Sequence, residues 1–298
     1  MTWAKAHAAA MIAAAQAHSD LEVARGGYVD VFAALSSGGI TVMGQRLGQL
    51  FGAYFGPEAH GPAVLLNSEF DETAMRHTAA HELGHHRFRH GTKTDEHLDA
   101  LEAWGQRHWP EPEMQAEAFA AWFLMPLSTV NQAMAAIGLS CVSRPDEAYQ
   151  LSLWLGTSFR GTVRHLVHLK KISSRQAEAW SAVSPSELRR PLDHGTWRPS
   201  GRHWDLGLTA SGRDLHVRAG DRLTIRLDGA AQGMTGSLPE GVALSTPSGR
   251  GAQRPRPGFV VLELDRALRS PTDLTVGDSW TVALIPAPTR HGHIDGWD

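Results

Sequence analysis

Two histidines four residues apart constrain this sequence more than any other feature. The segment His81-Glu82-Leu83-Gly84-His85 has the pattern H-E-x-x-H and lies in a stretch that reads as a helix beginning at Glu72. Residues four apart project from one helical face, so both imidazoles can converge on one metal ion. Asp71 can cap the start of this helix, and Gly91 is a suitable residue for its end. The pattern therefore predicts a zinc site on one face of a single helix.

The carboxylate inside the pattern indicates catalysis. Glu82 follows His81 directly, so it lies near the same face without being a ligand itself. Zinc lowers the pKa of water, and a neighbouring carboxylate can take the proton and later pass it to a leaving amine. We therefore expect Glu82 to be the general base of a peptide-bond hydrolase. The alternative is a solvated histidine-rich helix, since five of the 17 histidines fall within residues 77–90.

A third ligand is needed, because catalytic zinc usually keeps three protein ligands and one open position. Glu113 and Glu117 lie one turn apart on a predicted helix, 113–125, which ends at Pro126. Several alanines give that helix small side chains, which a close approach to the histidine helix would require. Four histidines compete with the two carboxylates: His86, His90, His97 and His108. Spacing alone leaves Glu113 and Glu117 both open.

Two longer stretches resemble a known family. Residues 76–85 read RHTAAHELGH and residues 113–126 read EMQAEAFAAWFLMP. They are similar to R-F-T-x-A-H-E-x-G-H and E-x-x-A-N-x-F-A-A-x-L-L-M-P of the ImmA/IrrE metalloendopeptidases. The resemblance implies that Glu113, which opens the second motif, is the third zinc ligand. The sequence departs from the family at His77, where Phe is usual, and at Glu117, where Asn is frequent, and Glu117 is itself a competent ligand.

The same resemblance implies a gluzincin-like, zincin-like core, in which a small mixed sheet covers the zinc helix. An edge strand of such a sheet would align an extended substrate, and we assign this to residues 63–67, with an ordinary half-buried strand as the alternative. His77 is a candidate oxyanion stabiliser, against the simpler role of a structural histidine. The implied substrate is a helix-turn-helix transcriptional repressor, cleaved in a stress or mobile-element response.

The length of 298 residues favours more than one domain. We predict an α+β protein with a zinc metallopeptidase domain at 1–145, a helix-turn-helix-like segment at 146–190 and an all-β, sandwich-like domain at 191–298. A helix at 2–24, strands at 39–43 and 52–55, and a short helix near 95–107 are further expectations. The C-terminal domain has either a sensory or substrate-selecting role, or one of stabilising the core or a dimer.

The middle segment raises a second hypothesis. An apolar helix, a turn at residues 156–158 and a second apolar helix are typical of a helix-turn-helix. The segment is locally basic, with Arg160, Arg164, Lys170, Lys171 and Arg175. Such charges are also common on a solvated face. We expect no sequence-specific nucleic-acid binding, and the alternative function is a DNA-binding or scaffold regulator with a non-catalytic zinc site.

The composition and the N-terminal residues indicate the cellular compartment in which the protein is expected. A net charge of −3 does not favour binding of the whole chain to nucleic acid or to an anionic membrane. The single cysteine, Cys141, cannot form an internal disulfide. The alanine-rich residues 8–15 are too short to span a bilayer and lack a cleavage site, so a first helix is preferred to a signal peptide. We expect a cytoplasmic protein, and the sequence does not give its oligomeric state.

Overall fold

The computed structural model describes residues 1–24, 26–59, 61–94, 109–192, 201–226, 238–245, 258–277 and 280–286. Within them lie nine α-helices and eleven β-strands, which confirms an α+β protein. The chain divides into two compact units. Of the described residues, one unit comprises Met1–Val130 and Leu155–Gly161, and the other comprises Asn131–Trp154 and those from Thr162 onwards.

The N-terminal elements agree with most of the sequence predictions. In chain order they are α1 (Trp3–Asp20), α2 (Val31–Ser37), β1 (Thr41–Gln45), β2 (Gly52–Phe55), β3 (Ala63–Asn67), α3 (Glu72–Arg87), β4 (Lys93–Thr94) and α4 (Glu111–Leu124). The first helix, the three strands and the two motif-bearing helices are confirmed. Helix α2 was not predicted, because its seven residues are too few to show a clear periodicity. The short helix expected near 95–107 lies outside the described residues.

The elements beyond α4 are five helices and seven strands. They are α5 (Leu127–Ile137), α6 (Pro145–Leu155), α7 (Phe159–His168), α8 (Ser174–Ser181), α9 (Pro185–Arg189), β5 (His203–Leu206), β6 (Asp214–Val217), β7 (Arg222–Arg226), β8 (Val242–Leu244), β9 (Phe259–Leu264), β10 (Thr272–Val276) and β11 (Trp280–Pro286). The predicted break at residues 156–158 is confirmed between α6 and α7. None of the helices in the described ranges combines the length and apolar character needed to cross a lipid bilayer.

The ends of α3 are set by local chemistry. Asp71 caps the start, because its Oδ1 accepts a hydrogen bond from the Ala74 amide at 2.9 Å. The predicted end at Gly91 is wrong: the helix ends at Arg87. Arg89 takes a left-handed backbone conformation (φ 56°), and the His90 amide donates to the His85 carbonyl at 2.9 Å. This left-handed cap turns the chain back over the last helical turn.

The N-terminal unit contains a four-stranded sheet with the order β1-β3-β2-β4. β3 runs parallel to β1 and antiparallel to β2, and β2 is antiparallel to β4. The prediction that residues 63–67 form an edge strand is therefore wrong, because β3 is paired on both sides. Among the described strands β1 and β4 are the outer ones. A strand with both sides paired has no free backbone groups to bind an extended peptide.

Small residues let three helices pack closely. α1 and α3 both pack against α4. α1 buries its alanines at positions 6, 10, 14 and 17, a spacing that lines one helical face. On the other side, a Cβ atom at Gly84 of α3 would lie 3.0 Å from the Cα of Ala116 and 3.2 Å from its carbonyl oxygen. The predicted close approach of the two motif-bearing helices is confirmed.

A buried arginine ties α3 to two loops. Arg76 is fully buried, and its guanidinium donates to the carbonyls of Val29 at 2.7 Å, Gly156 at 3.0 Å and Leu155 at 3.4 Å. The guanidinium also lies 3.8 Å from the centre of the Tyr28 ring. Backbone carbonyls and an aromatic face replace water around this cation. The first motif thus begins with Arg76, whose contacts hold the N-terminal half of α3 against these loops.

The second unit combines helices and two sheets. The three-stranded sheet has the order β10-β11-β6, and the four-stranded sheet has the order β5-β7-β9-β8. α6 is bonded to β5: the Gln150 amide group donates to the His203 carbonyl at 2.7 Å and accepts from the Asp205 amide at 2.9 Å. Strands β5 to β11 lie within the region for which an all-β domain is predicted. Of the segment at 146–190, residues 155–161 fall in the first unit, and the rest falls in the second unit with the strands.

Candidate metal centre

Three side chains converge at the contact between α3 and α4. The Nε2 atoms of His81 and His85 lie 3.0 Å apart, and both ring nitrogens face one carboxylate oxygen, Oε2 of Glu113. That oxygen is 3.2 Å from His81 Nε2 and 3.3 Å from His85 Nε2. Both histidines are completely buried, whereas Glu113 is one-fifth exposed. The three donor atoms form a nearly equilateral triangle, and Glu113 is its partly exposed corner.

This triangle has the dimensions of a metal site. Zinc bonds to imidazole nitrogen or carboxylate oxygen at about 2.0–2.2 Å, and tetrahedral geometry then separates neighbouring donors by about 3.3 Å. The observed separations are 3.0, 3.2 and 3.3 Å. Two neutral imidazoles and one carboxylate are also the donor set of many catalytic zinc sites. The residues present therefore fit a single tetrahedral ion with one position left for water.

The protonation of Glu113 suits a ligand. Burial by itself would raise the pKa of this carboxyl group, but hydrogen bonds and charge interactions with His81 and His85 outweigh it and hold the pKa below its ordinary value. A carboxylate must be ionised to bind a cation. The site thus keeps Glu113 in its binding form at neutral pH.

Glu117, the competing carboxylate, faces a different pair of atoms. Its Oε2 lies 2.8 Å from His77 Nε2 and 3.6 Å from His81 Nδ1, the ring nitrogen that faces away from the triangle. Burial raises the pKa of Glu117, but His77 and then His81 lower it well below its usual range. Glu117 therefore lies behind His81, on the side away from the triangle, and its short contact is with His77.

The other histidines lie apart from the triangle. His77, considered as an oxyanion stabiliser, is bound to Glu117. The Nδ1 of His86 is 2.9 Å from the hydroxyl of Tyr54, on another face of α3. The Nδ1 of His90 is 2.9 Å from His85 Nδ1, behind the ligand. His97 and His108 lie outside the described residues.

Glu82 is fully buried between α3 and the sheet. A Cβ atom at Gly52 of β2 would lie 3.1 Å from Glu82 Oε1, 2.6 Å from Thr78 Cγ2 and 2.9 Å from the Leu65 carbonyl oxygen. Only a residue without a side chain leaves room for the carboxylate here. Gly52 of β2 thus leaves the space that the Glu82 carboxylate occupies. The sequence around Glu82 does not indicate this contact.

Sequence reasoning did not assign Gly52, Gln115 or the contact of His90. Gln115 lies two residues after Glu113, and its Oε1 is 3.1 Å from His90 Nε2. The signal available in the sequence was the i, i+2 spacing to a candidate ligand, which is too common to single out one glutamine.

Comparison with known proteins agrees with the geometry. No curated protein matches the chain. One family model does match, and its description is IrrE N-terminal-like domain, Peptidase_M78. The match covers residues 36–139, which include β1, α3, α4 and all three residues of the triangle. Residues 36–139 belong to the IrrE N-terminal-like peptidase family, and the resemblance to ImmA/IrrE proteins is confirmed.

Proposed function

We propose that this protein is a zinc-dependent endopeptidase that cleaves a protein partner. The observation that carries the proposal is the triangle of His81, His85 and Glu113, whose donor atoms lie 3.0–3.3 Å apart on an H-E-x-x-H helix and its neighbour. The peptidase family match over the same residues supports it. A zincin-like core at residues 1–145 is part of the proposal.

Each residue has a separate role. His81, His85 and Glu113 would hold zinc, which supplies Lewis-acid polarisation of the scissile carbonyl and a lowered pKa for water. Glu82 would accept the proton from the attacking water and return it to the leaving amine. Its complete burial keeps the carboxylate out of bulk water. A proton acceptor near a reacting bond is more effective in such a water-excluded site.

The proposed substrate is a helix-turn-helix transcriptional repressor, cleaved in the cytoplasm during a stress or mobile-element response. This follows from the ImmA/IrrE resemblance, since the family often removes such repressors. The alternative is a DNA-binding or scaffold regulator with a non-catalytic zinc site. We do not expect sequence-specific DNA binding by the basic middle helices, and a footprint at physiological salt would favour that alternative.

The proposal is tested by co-expression with helix-turn-helix repressors encoded nearby. The wild-type chain should release a fragment of one repressor, and Glu82→Gln should not, although it still contains one zinc per chain. Glu178→Gln on α8 is a matched control, because it makes the same change at an exposed position. A fragment that persists in Glu82→Gln would show that Glu82 is not the base. Zinc retained by a His81→Ala/His85→Ala double variant would remove the proposed site.

A further inference from the structure

One ligand of the proposed metal is supported by another histidine. His85 Nε2 belongs to the metal triangle, and its other ring nitrogen, Nδ1, lies 2.9 Å from His90 Nδ1. On the far side of the second ring, His90 Nε2 lies 3.1 Å from the amide oxygen of Gln115. The chain of contacts therefore runs from the metal-binding helix to α4, which also carries Glu113.

The helix end places this histidine. Arg89 occupies the left-handed region, a costly conformation for a residue with a side chain. Its amide donates to the His86 carbonyl at 3.0 Å, and the His90 amide donates to the His85 carbonyl at 2.9 Å. Such a cap brings the residue after the left-handed position over the last turn, usually for an apolar contact. Here the contact is between two imidazoles whose centres lie 5.0 Å apart.

Proton positions follow from the acceptor at the end of the chain. A metal needs the lone pair of His85 Nε2, so the proton of neutral His85 must be on Nδ1. That N–H can donate only if His90 Nδ1 is an acceptor, which requires the proton of neutral His90 on Nε2. The Gln115 oxygen accepts from that Nε2–H, because a carbonyl oxygen cannot donate. One arrangement of protons thus satisfies His85, His90 and Gln115, and it leaves the lone pair of His85 Nε2 available for a metal.

We propose that His90, held by Gln115, is a positioning residue that fixes the tautomer and ring orientation of His85 for metal binding. The inference rests on the proposed function, since it concerns the same site. The two histidine ligands then have different supports. His81 has the carboxylate of Glu117 behind it, whereas His85 has an uncharged imidazole and amide. Partners of this kind orient metal-binding imidazoles in many proteins.

The test measures zinc affinity of the full chain by competition with a chromophoric chelator. His90→Ala should weaken zinc binding about 10–100-fold, the usual effect of losing such a support. His90→Asn should restore most of the affinity, because its amide oxygen can accept from His85 Nδ1–H. His86→Ala is the matched control, since His86 lies beside His85 but contacts Tyr54 instead. Its affinity should stay within about threefold of wild type.

A second pair of variants covers the case in which His90→Ala does not fold. Gln115→Met removes the acceptor and should weaken zinc binding, whereas Gln115→Glu keeps an acceptor and should not. In the cobalt-substituted protein, the visible ligand-field spectrum should change in His90→Ala and Gln115→Met. Wild-type affinity in both folded variants overturns the inference and leaves the proposed function intact. Failure of the wild type itself to bind zinc overturns both.

Discussion

A Cβ atom at Gly84 would lie 3.0 Å from the Cα atom of Ala116, so helices α3 and α4 approach each other backbone to backbone at this point. Gly84 lies one residue before His85, and Ala116 lies three residues after Glu113. The distance between the helices is therefore set beside the triangle of His81, His85 and Glu113, and any change in it also changes the separation of these side chains.

Gly84→Val should push the two helices apart. We expect the free energy of unfolding to fall by about 1–3 kcal/mol, since overpacking a filled interface has a cost of this size. Zinc affinity should fall as well, because Glu113 moves away from both histidines. Urea denaturation and a zinc titration measure the two effects. Unchanged stability would mean that the backbone at Ala116 yields more easily than its helical position suggests.

Glu113 and Glu117 should differ in their effect on the metal. Glu113→Gln replaces the ionised carboxylate of the triangle by a neutral amide, and we expect zinc affinity to fall by more than about 100-fold, beyond the loss expected for an outer partner. Glu117→Gln removes the negative charge behind His81 and beside His77, for which about 10–100-fold is expected. Both variants preserve side-chain volume, so each is a control for the other. The reverse order of affinities would transfer the ligand role to Glu117.

Gly52→Ala should affect catalysis more than metal binding. The added Cβ would meet Glu82 Oε1 at 3.1 Å and Thr78 Cγ2 at 2.6 Å, whereas the three ligands are not among its nearest neighbours. We expect peptidase activity to fall at least about tenfold, and at most by the about 10²–10⁴-fold that a general base contributes, while zinc affinity changes little. Gly27→Ala is the control, because nothing lies within 4 Å of its Cβ position. A parallel loss of zinc would contradict this prediction.

His203 should make the second unit sensitive to acid. Its side chain is buried on β5, and burial, then Arg222 and Arg189, lower its pKa to about 4. The unfolded chain has a pKa of about 6.5, so it binds more protons between these values. Stability is fully present above about pH 6.5 and is lost as the pH falls towards 4, by on the order of 2–3 kcal/mol. Urea unfolding at several pH values should show a smaller acid loss in His203→Phe than in wild type.

Ending the chain at Pro191 should destabilise residues 131–154. Helix α6 bonds to β5 through Gln150, and Trp154 packs edge-on against Trp204 with ring centres 5.8 Å apart. Truncation removes both partners, so the amide group of Gln150 and the ring of Trp154 lose these contacts. Limited proteolysis should therefore cut the truncated chain within α6, where the full chain resists. Equal protease resistance of the truncated and full chains would mean that α6 does not depend on the strands for its stability, as expected of a purely sensory domain.

The sequence by itself determined the elements whose signals are local. Asp71 and the H-E-x-x-H spacing define α3 and the shared face of His81 and His85, because capping and helical periodicity depend on neighbouring residues. The alternating apolar residues likewise identified β7, β9 and β11. The general-base assignment of Glu82 came from the same pattern and stays a prediction.

Only the tertiary structure decided between choices that local patterns leave equal. Glu113 and Glu117 share one face of α4, and the packing of α4 on α3 brings the first to the Nε2 atoms and the second behind His81. β3 is interior because β1 and β2 bond to both its sides, and a strand's own residues do not specify how many neighbours it has. His90 reaches His85 through the left-handed turn at Arg89. Each outcome depends on contacts between elements distant in sequence or on a backbone conformation that the residue type alone does not favour.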